Sequence, residues 1–311
     1  MKCAKIKTIN PFYHFVVDGR NELTNYLYTP KTKAQFNKDL QFLKKYFHSL
    51  TAKDIANSNH NLDSFGFFLS FDDGLSNFYS VVAPMLLKEK VHAVNFLNSD
   101  FIDNQDLFYR YKVNLLITHI RENVFLEAQK NEIAKIIALN KITKSKLINT
   151  LKTLSSKDSD KLDKLAKLFK ISFKEFLKKK TPYLTTEQIL ELKMQGFYFG
   201  AHSKNHPYYA EISLEEQIKQ TIESVTVVEN KFNLAMRLFS FPFSDDGVGD
   251  AFFDTMKKEK IITFGTAGIR NSDNPLRFQR IPMEYNTVYS AETIIKGELI
   301  YHILKKIIGK Q

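Results

Sequence analysis

Two adjacent carboxylates, Asp72 and Asp73, end an apolar run, Phe67-Phe68-Leu69-Ser70-Phe71, and Gly74 follows them. Far downstream a second apolar run, Phe197-Tyr198-Phe199-Gly200-Ala201, ends in His202-Ser203-Lys204-Asn205-His206. One Asp with two His is a three-ligand set of the kind that holds a catalytic zinc and leaves a fourth position for water. The second Asp is then available as a base. Alone, Asp-Asp-Gly is a plain turn, and two histidines with three residues between them are a pair on one face of a helix. Their placement changes this reading, because each cluster closes a stretch that reads as a buried strand. In barrels of alternating strands and helices the C-terminal strand ends are where chemistry is assembled.

The elements that must position these groups alternate along the chain. Pro11 to Val17 reads as a first strand, and Thr32 to Phe47 as a helix with Phe36, Leu40, Leu43 and Phe47 on one face. After the carboxylate strand come a helix near Ser76–Lys90 and a strand at Ala93–Leu97. A helix from Thr185 to Gln195, with Gly196 as its stop, precedes the histidine strand. Further on we expect a helix over Leu214–Phe232, a strand at Leu238–Phe243 and a helix near Ala251–Lys258. Strands at Ile261–Phe264 and Arg280–Met283 and a helix over Ala291–Ile308 complete the chain. The alternation predicts an α/β fold, a parallel sheet closed into a (β/α) barrel. From about 111 to 180 glycine vanishes, lysine rises and the spacing turns helical, which predicts an all-helical insertion in one barrel domain spanning 1–311. Its last part sets Leu162, Leu165, Phe169, Phe173 and Phe176 against many lysines. That pattern fits an ordinary helix packed on the protein, or a lid or membrane-surface helix.

The single cysteine, Cys3, rules out an internal disulfide and any zinc–thiolate cluster, so a metal must use His and carboxylate. No long apolar run follows Met1–Lys7, and none spans a membrane. The expectation is a cytoplasmic protein, at most peripheral to the inner face of the membrane. The formal charge of +11 suits an anionic membrane surface, met by the basic insertion, or simply a lysine-rich solvated face. No nucleic-acid-binding motif accompanies it, so no nucleic-acid partner is expected.

With these residues in view, the chain resembles the polysaccharide deacetylase family (the NodB-homology, carbohydrate esterase family 4 group). Ser70-Phe71-Asp72-Asp73-Gly74 matches its first motif and His202-Ser203-Lys204-Asn205-His206 its second. Phe239-Ser240-Phe241-Pro242-Phe243 is similar to the third, and Pro11-Phe12-Tyr13-His14 to the start of many members. The resemblance implies a distorted (β/α) barrel and assigns Asp73, His202 and His206 to a divalent metal. Zinc is the expected metal, with cobalt, nickel or manganese as alternatives. It makes Asp72 the general base toward the attacking water and the backbone N–H of Phe243 a donor to the oxyanion.

Two features depart from the pattern. Ser240 stands where the third motif usually carries an arginine that orients the base, and the late histidine that serves as general acid is missing around Arg280-Ile281-Pro282-Met283. His14, in an expected core strand, is either the substitute acid or a histidine satisfied within the strand, while His302 is expected to pack in the last helix and His60 and His92 to lie on the surface. Asp245-Asp246-Gly247 reads as a turn, and Tyr208 and Tyr209 as packing beside the metal loop or as platforms for a sugar ring. The implied activity is removal of an acetyl group, foremost N-acetyl, from a carbohydrate, including a nucleotide- or lipid-linked glycan precursor. The alternatives are a catalytically silent glycan-binding or scaffold barrel, and a metal-dependent O-acetyl esterase.

Overall fold

The structure is a computed structural model that describes residues 6–57, 65–270, 274–284 and 288–307. Cys3, His60 and the expected last helical residue, Ile308, lie outside the described residues.

The elements run β1 (Thr8–Ile9), β2 (Pro11–Tyr13), α1 (Lys33–Tyr46), β3 (His48–Ser49), α2 (Ala52–Ala56), β4 (Gly66–Phe67) and β5 (Leu69–Phe71). Then come α3 (Ala83–Glu89), β6 (Ala93–Leu97) and the helices α4 (Tyr109–Glu122), α5 (Glu127–Ile137), α6 (Lys144–Thr153), α7 (Ser159–Leu168) and α8 (Phe173–Lys180). The chain ends with α9 (Thr186–Met194), β7 (Tyr198–Ala201), α10 (Leu214–Phe232), β8 (Leu238–Ser240), α11 (Asp250–Lys258), β9 (Ile262–Gly265), β10 (Arg277–Gln279), β11 (Ile281–Pro282) and α12 (Ala291–Ile307). The chain divides into two compact units, one built from residues 1–19, 30–103 and 182–311, the other from 20–29 and 104–181.

In the first unit eight parallel strands follow the order β10-β9-β8-β7-β6-β5-β2-β11. The two ends of this order are consecutive in sequence, with Arg280 alone between them. Gln279 pairs with Gly265 of β9, and two residues later Ile281 pairs with Pro11 of β2. One short segment therefore spans both edges and nearly closes a distorted (β/α) barrel. A smaller sheet, β1-β4-β3, adjoins it.

Side chains alternate across the strands with period two. On β6, Val94 and Phe96 join Phe68, Leu238, Ile262 and Phe264 in one buried cluster. Ala93 and Leu97, on the other face, join the layer packed under the helices with Leu40, Ile189, Val225 and Phe252. Thr32 and Thr185 start α1 and α9 as capping boxes with Gln35 and Gln188, the reciprocal arrangement that satisfies two otherwise orphaned donors.

Four expected strands are shorter than their apolar runs. β2 stops at Tyr13 because the next N–H groups go to side chains: His14 and Phe15 donate to Glu284 and Val16 to Asn77. The run before Asp72 is divided between the two sheets, Gly66–Phe67 pairing with β1 and β3, and Leu69–Phe71 with β2 and β6. β8 stops at Ser240, since Pro242 cannot donate and Phe243 turns left-handed at φ 60. The last expected strand, Arg280–Met283, is reduced to β11, and β10 just before it is not among the expected strands.

The second unit is all-helical, and the apolar side of its basic segment faces inward. Of the expected stripe, Leu162, Leu165 and Phe169 are buried and Phe173 and Phe176 half-buried, and Ala166 and Leu177 join them in the core of the unit. Residues 104–181 hold 18 of the 45 Lys and Arg but 8 of the 34 acids, so this stretch carries nearly the whole net charge and the rest of the chain is close to neutral. Among the described residues no helix is long and apolar enough to cross a membrane.

Candidate active site

Asp73, His202 and His206 are buried together, with one potential ligand atom from each lying within 4.8 Å of the others. Asp73 Oδ1 is 3.5 Å from His202 Nε2 and 3.2 Å from His206 Nε2. The sequence separates these residues by more than a hundred positions. The sheet joins them, because β5 pairs with β6 and β6 with β7, which aligns the ends of the carboxylate and histidine strands.

The local backbone is unusual. Asp73, Ser203, His206 and Phe243 all have positive φ, at 73, 64, 62 and 60. Such conformations in non-glycine residues cost about 1–3 kcal/mol each and gather where function demands them. Gly74, at φ 63, is held to glycine by its neighbour as well, since a Cβ there would meet Leu97 Cδ2 at 3.0 Å. The histidine loop is fixed from within: His206 N–H donates to Ser203 Oγ at 3.0 Å, and Asn98 Nδ2 donates to the His202 carbonyl.

The donor set fits a divalent cation. His202 Nδ1 lies 2.8 Å from the Ser240 carbonyl. A carbonyl can only accept, so Nδ1 carries the proton and the Nε2 lone pair is directed into the cluster. Burial, against the pull of Asp72, lowers His202 to about 4, so the ring is neutral at pH 7. Burial works the other way on Asp73, but His206 overrides it and keeps the carboxyl ionised. Two imidazole nitrogens and one carboxylate oxygen suit zinc or another first-row divalent metal.

Asp72 lies beside this cluster, with Oδ2 4.0 Å from His202 Nε2. Its main partner is Arg280, which sequence reasoning did not assign to the site. Arg280 Nη1 donates to Asp72 Oδ1 at 2.7 Å and Nη2 to Oδ2 at 2.8 Å, a two-pronged charge-assisted pair. The guanidinium also donates to Ser70 Oγ at 3.0 Å, to Ser240 Oγ at 2.5 Å and to the Gly265 carbonyl at 3.3 Å. It lies 4.2 Å from the Phe12 ring centroid and 5.4 Å from that of Phe96. Residues of β2, β5, β6, β8 and β9 thus surround one fully buried arginine at the seam between β10 and β11. Burial alone would raise the Asp72 carboxyl, but Arg280, with help from His202, holds it below its ordinary value. An arginine at the seam between β10 and β11 stands on Asp72 where the third motif has none, and Ser240 joins the same network.

His14 stands at the end of β2, with Nδ1 2.7 Å from Glu284 Oε2. Glu284, the second residue the sequence did not reveal, also accepts the N–H groups of His14 and Phe15 at 2.7 and 3.0 Å. Burial disfavours the imidazolium, but Glu284 outweighs it and lifts His14 to about 9, with Asp73 and Asp72 adding to the effect. His14 is 30% exposed, so it can be reached from solvent.

The ring of Phe243 meets His206 edge-on at 4.7 Å and Tyr208 at 5.7 Å. Its carbonyl accepts from Thr266 Oγ1 at 3.0 Å. Tyr208 lies at this rim, whereas Tyr209 is fully buried with its hydroxyl 2.8 Å from Thr221 Oγ1. Asp246 and Gly247 form a turn. Asp245 is buried and accepts from Arg277 at 2.9 Å and Gln279 at 2.6 Å, which secures the Phe243 loop to β10. His302 is buried in α12 and His92 is exposed. No sequence motif announces Arg280 or Glu284. The available signal is a lone arginine within an apolar strand pattern, which cannot be buried without an anion.

A barrel whose strand ends bring an Asp-Asp pair and two histidines to one place defines a class of hydrolase. Comparison with known proteins identifies the lineage: the polysaccharide deacetylase family matches residues 59–259, and the chain belongs to that family. Family membership supports a carbohydrate deacetylase. A comparison with curated proteins finds no match. Among solved structures, the chain is similar to the deacetylase PplD of Streptococcus pyogenes, determined in complex with acetate, with a TM-score of 0.61 and 16% identity over 94% of this chain and 97% of that one. A de-N-acetylase from Aggregatibacter actinomycetemcomitans gives 0.58 and 14%, covering 94% and 99%. IcaB from Ammonifex degensii gives 0.58 and 13%, covering 93% and 97%. At these identities the likeness establishes the fold.

Proposed function

We propose that this chain is a metal-dependent deacetylase that hydrolyses an N-acetyl group on a carbohydrate. The observation that carries this reading is the ionised, Arg280-clamped Asp72 beside the buried Asp73–His202–His206 cluster. Those three residues would hold the cation, zinc being the metal their donors suit best. When bound, it polarises the acetyl carbonyl and lowers the pKa of a coordinated water toward ~7.

The chain's own residues do the rest. Asp72 accepts a proton from the attacking water, and the fork of Arg280 fixes both carboxylate oxygens so that the base needs no reorientation. The backbone N–H of Phe243 donates to the oxyanion that develops when water adds to the acetyl carbon. His14 then gives a proton to the departing nitrogen as the carbon–nitrogen bond breaks, releasing acetate and an amine. An amine leaves only when protonated, so an acid already charged at pH 7 supports N-acetyl over O-acetyl substrates. Glu284 keeps His14 charged and oriented.

Against the silent-barrel reading stand the Arg280 fork on Asp72, which supports a base-orienting role, and the Glu284-paired His14, which supports the role of acid. The test is acetate release from N- and O-acetylated oligosaccharides, including nucleotide- and lipid-linked precursors, by metal-loaded protein and by Asp72→Asn. Turnover of the N-acetyl compounds that is lost in the variant is the expected result. Full metal occupancy without acetate from any substrate would establish the silent barrel instead.

A further inference from the structure

α12 is apolar on both of its sides. Its inner side packs on the barrel unit through the buried Ala291, Ile295 and His302, with Leu299 and Ile303 partly buried. Roughly half a turn away, Ile300, Leu304 and Ile307 follow one another at spacings of four and three residues, forming a single line on the outer side. They are 59%, 49% and 74% exposed, and Tyr301 beside them is 56% exposed. With Val288 and Tyr289, the last twenty described residues contribute six of the fifteen large apolar side chains exposed in the described structure. A soluble surface helix normally turns polar residues outward, and a concentrated apolar patch marks a contact.

The charges around the stripe identify the contact. From Leu299 to Gln311 the sequence contains three lysines and no acid. Lys305 follows Leu304 on the Tyr301 side of the stripe, and its Nζ lies 4.7 Å from the Tyr301 ring centroid. The acids of the helix sit in its first half and are engaged, Glu292 with Lys296 at 2.6 Å and Glu298 with the Ile269 N–H at 3.2 Å. Aliphatic side chains on one line, a tyrosine and a lysine beside them and no acid in the last two turns are the pattern of a helix lying in an anionic lipid interface. A second copy suits the face less well. Four side chains fall far short of the ~20–30 residues a standard interface needs on each side, and a two-fold contact would set one acid-free, lysine-bearing surface against itself.

The helix is also firmly anchored at its start. Asp39 Oδ1 accepts the Ala291 N–H at 2.7 Å, Lys31 Nζ donates to the Tyr289 carbonyl, and Tyr13 donates to Asp39 at 3.1 Å. Tyr13 belongs to β2, the strand that ends at His14. A surface bound by α12 is therefore held to the strand that carries a proposed catalytic group.

We propose that the outer stripe of α12 docks the protein on an anionic lipid bilayer. This inference stands apart from the deacetylase reading, because its readout is partition onto lipid.

The test is co-sedimentation of the full chain with phosphatidylcholine vesicles containing phosphatidylglycerol, against phosphatidylcholine alone. The variants are Ile300→Asp/Leu304→Asp and, for charge acting through the insertion, Lys174→Glu/Lys179→Glu. We expect wild type to pellet with the anionic vesicles, and Ile300→Asp/Leu304→Asp to lower partition at least ~10-fold with its urea midpoint unchanged, since both side chains face outward. Each α12 lysine should contribute roughly fivefold at low salt. Wild type left in the supernatant would overturn the proposal. So would Ile300→Asp/Leu304→Asp binding like wild type while Lys174→Glu/Lys179→Glu abolishes it. Light scattering that shows a dimer broken by the aspartates would assign the stripe to a second copy and refute the lipid contact.

Discussion

Replacing Arg280 by methionine removes the buried cation while keeping most of the side-chain volume. Arg280 is 0% and Asp72 3% exposed, and their two contacts are 2.7 and 2.8 Å. Removing one partner of such a pair strands the other charge and costs about 3–5 kcal/mol, a large share of the ~5–15 kcal/mol that holds a domain together. We expect about 4 kcal/mol, read as a shift in urea midpoint on protein kept metal-free with chelator. The sign of the pH dependence follows from Asp72. In wild type its lowered carboxyl contributes stability above the ordinary value of 3.8, which is lost as pH falls through the folded value. In Arg280→Met burial is left unopposed by arginine and raises the carboxyl, so the penalty is full at pH 7 and relieved on acidification. The gap between the two proteins should narrow from pH 7 toward pH 4. Arg280→Met/Asp72→Asn removes both charges and should be about 2–3 kcal/mol more stable than the sum of the single losses predicts. Arg280→Lys keeps a cation without the fork and should fold even if the methionine variant does not. A loss below ~1 kcal/mol, a gap indifferent to pH, or additivity would refute the clamp.

Asp72→Asn should retain metal and lose about 10²–10⁴ in kcat, checked by acetate release beside elemental analysis. His202→Ala should lose the metal, and unchanged occupancy after desalting would break the ligand set. For His14, lifted from 6.5 to about 9, the contribution to stability is full below about 6.5 and lost as pH rises through about 9. Glu284→Gln should therefore be most destabilised relative to wild type near pH 6, with a smaller gap above pH ~10. It should also move the His14 titration, followed by NMR, down the pH scale. A gap of constant size would mean that Glu284 serves only the backbone N–H groups of His14 and Phe15.

The motifs and the helices were legible because their signals are local. Asp72, Asp73, His202 and His206 each close an apolar run, and α1, α9 and α10 carry caps and period within their own residues. The stations that depend on closure were not legible. Arg280 meets Asp72 across 208 positions, and its role depends on which strands flank the seam, which no window of sequence records. The same holds for Glu284, whose carboxylate takes over the N–H groups that a longer first strand would have paired. The stretch Arg20–Thr29, which clusters with the helical unit rather than with its chain neighbours, has no periodicity to announce it.

The seam also sets a timetable. Asp72 is made together with the strand that presents it, yet its clamping partner follows only 208 positions later. Until residues 277–282 dock on both edges, the sheet is open and the carboxylate is neither clamped nor shielded. A chain lacking residues 277–282 would carry both motif clusters and still lack the clamp on the proposed base. On the proposed mechanism, activity is thus tied to the longest-range step of folding, the kind that tends to come slowly, and appearance of turnover during refolding should report barrel closure itself.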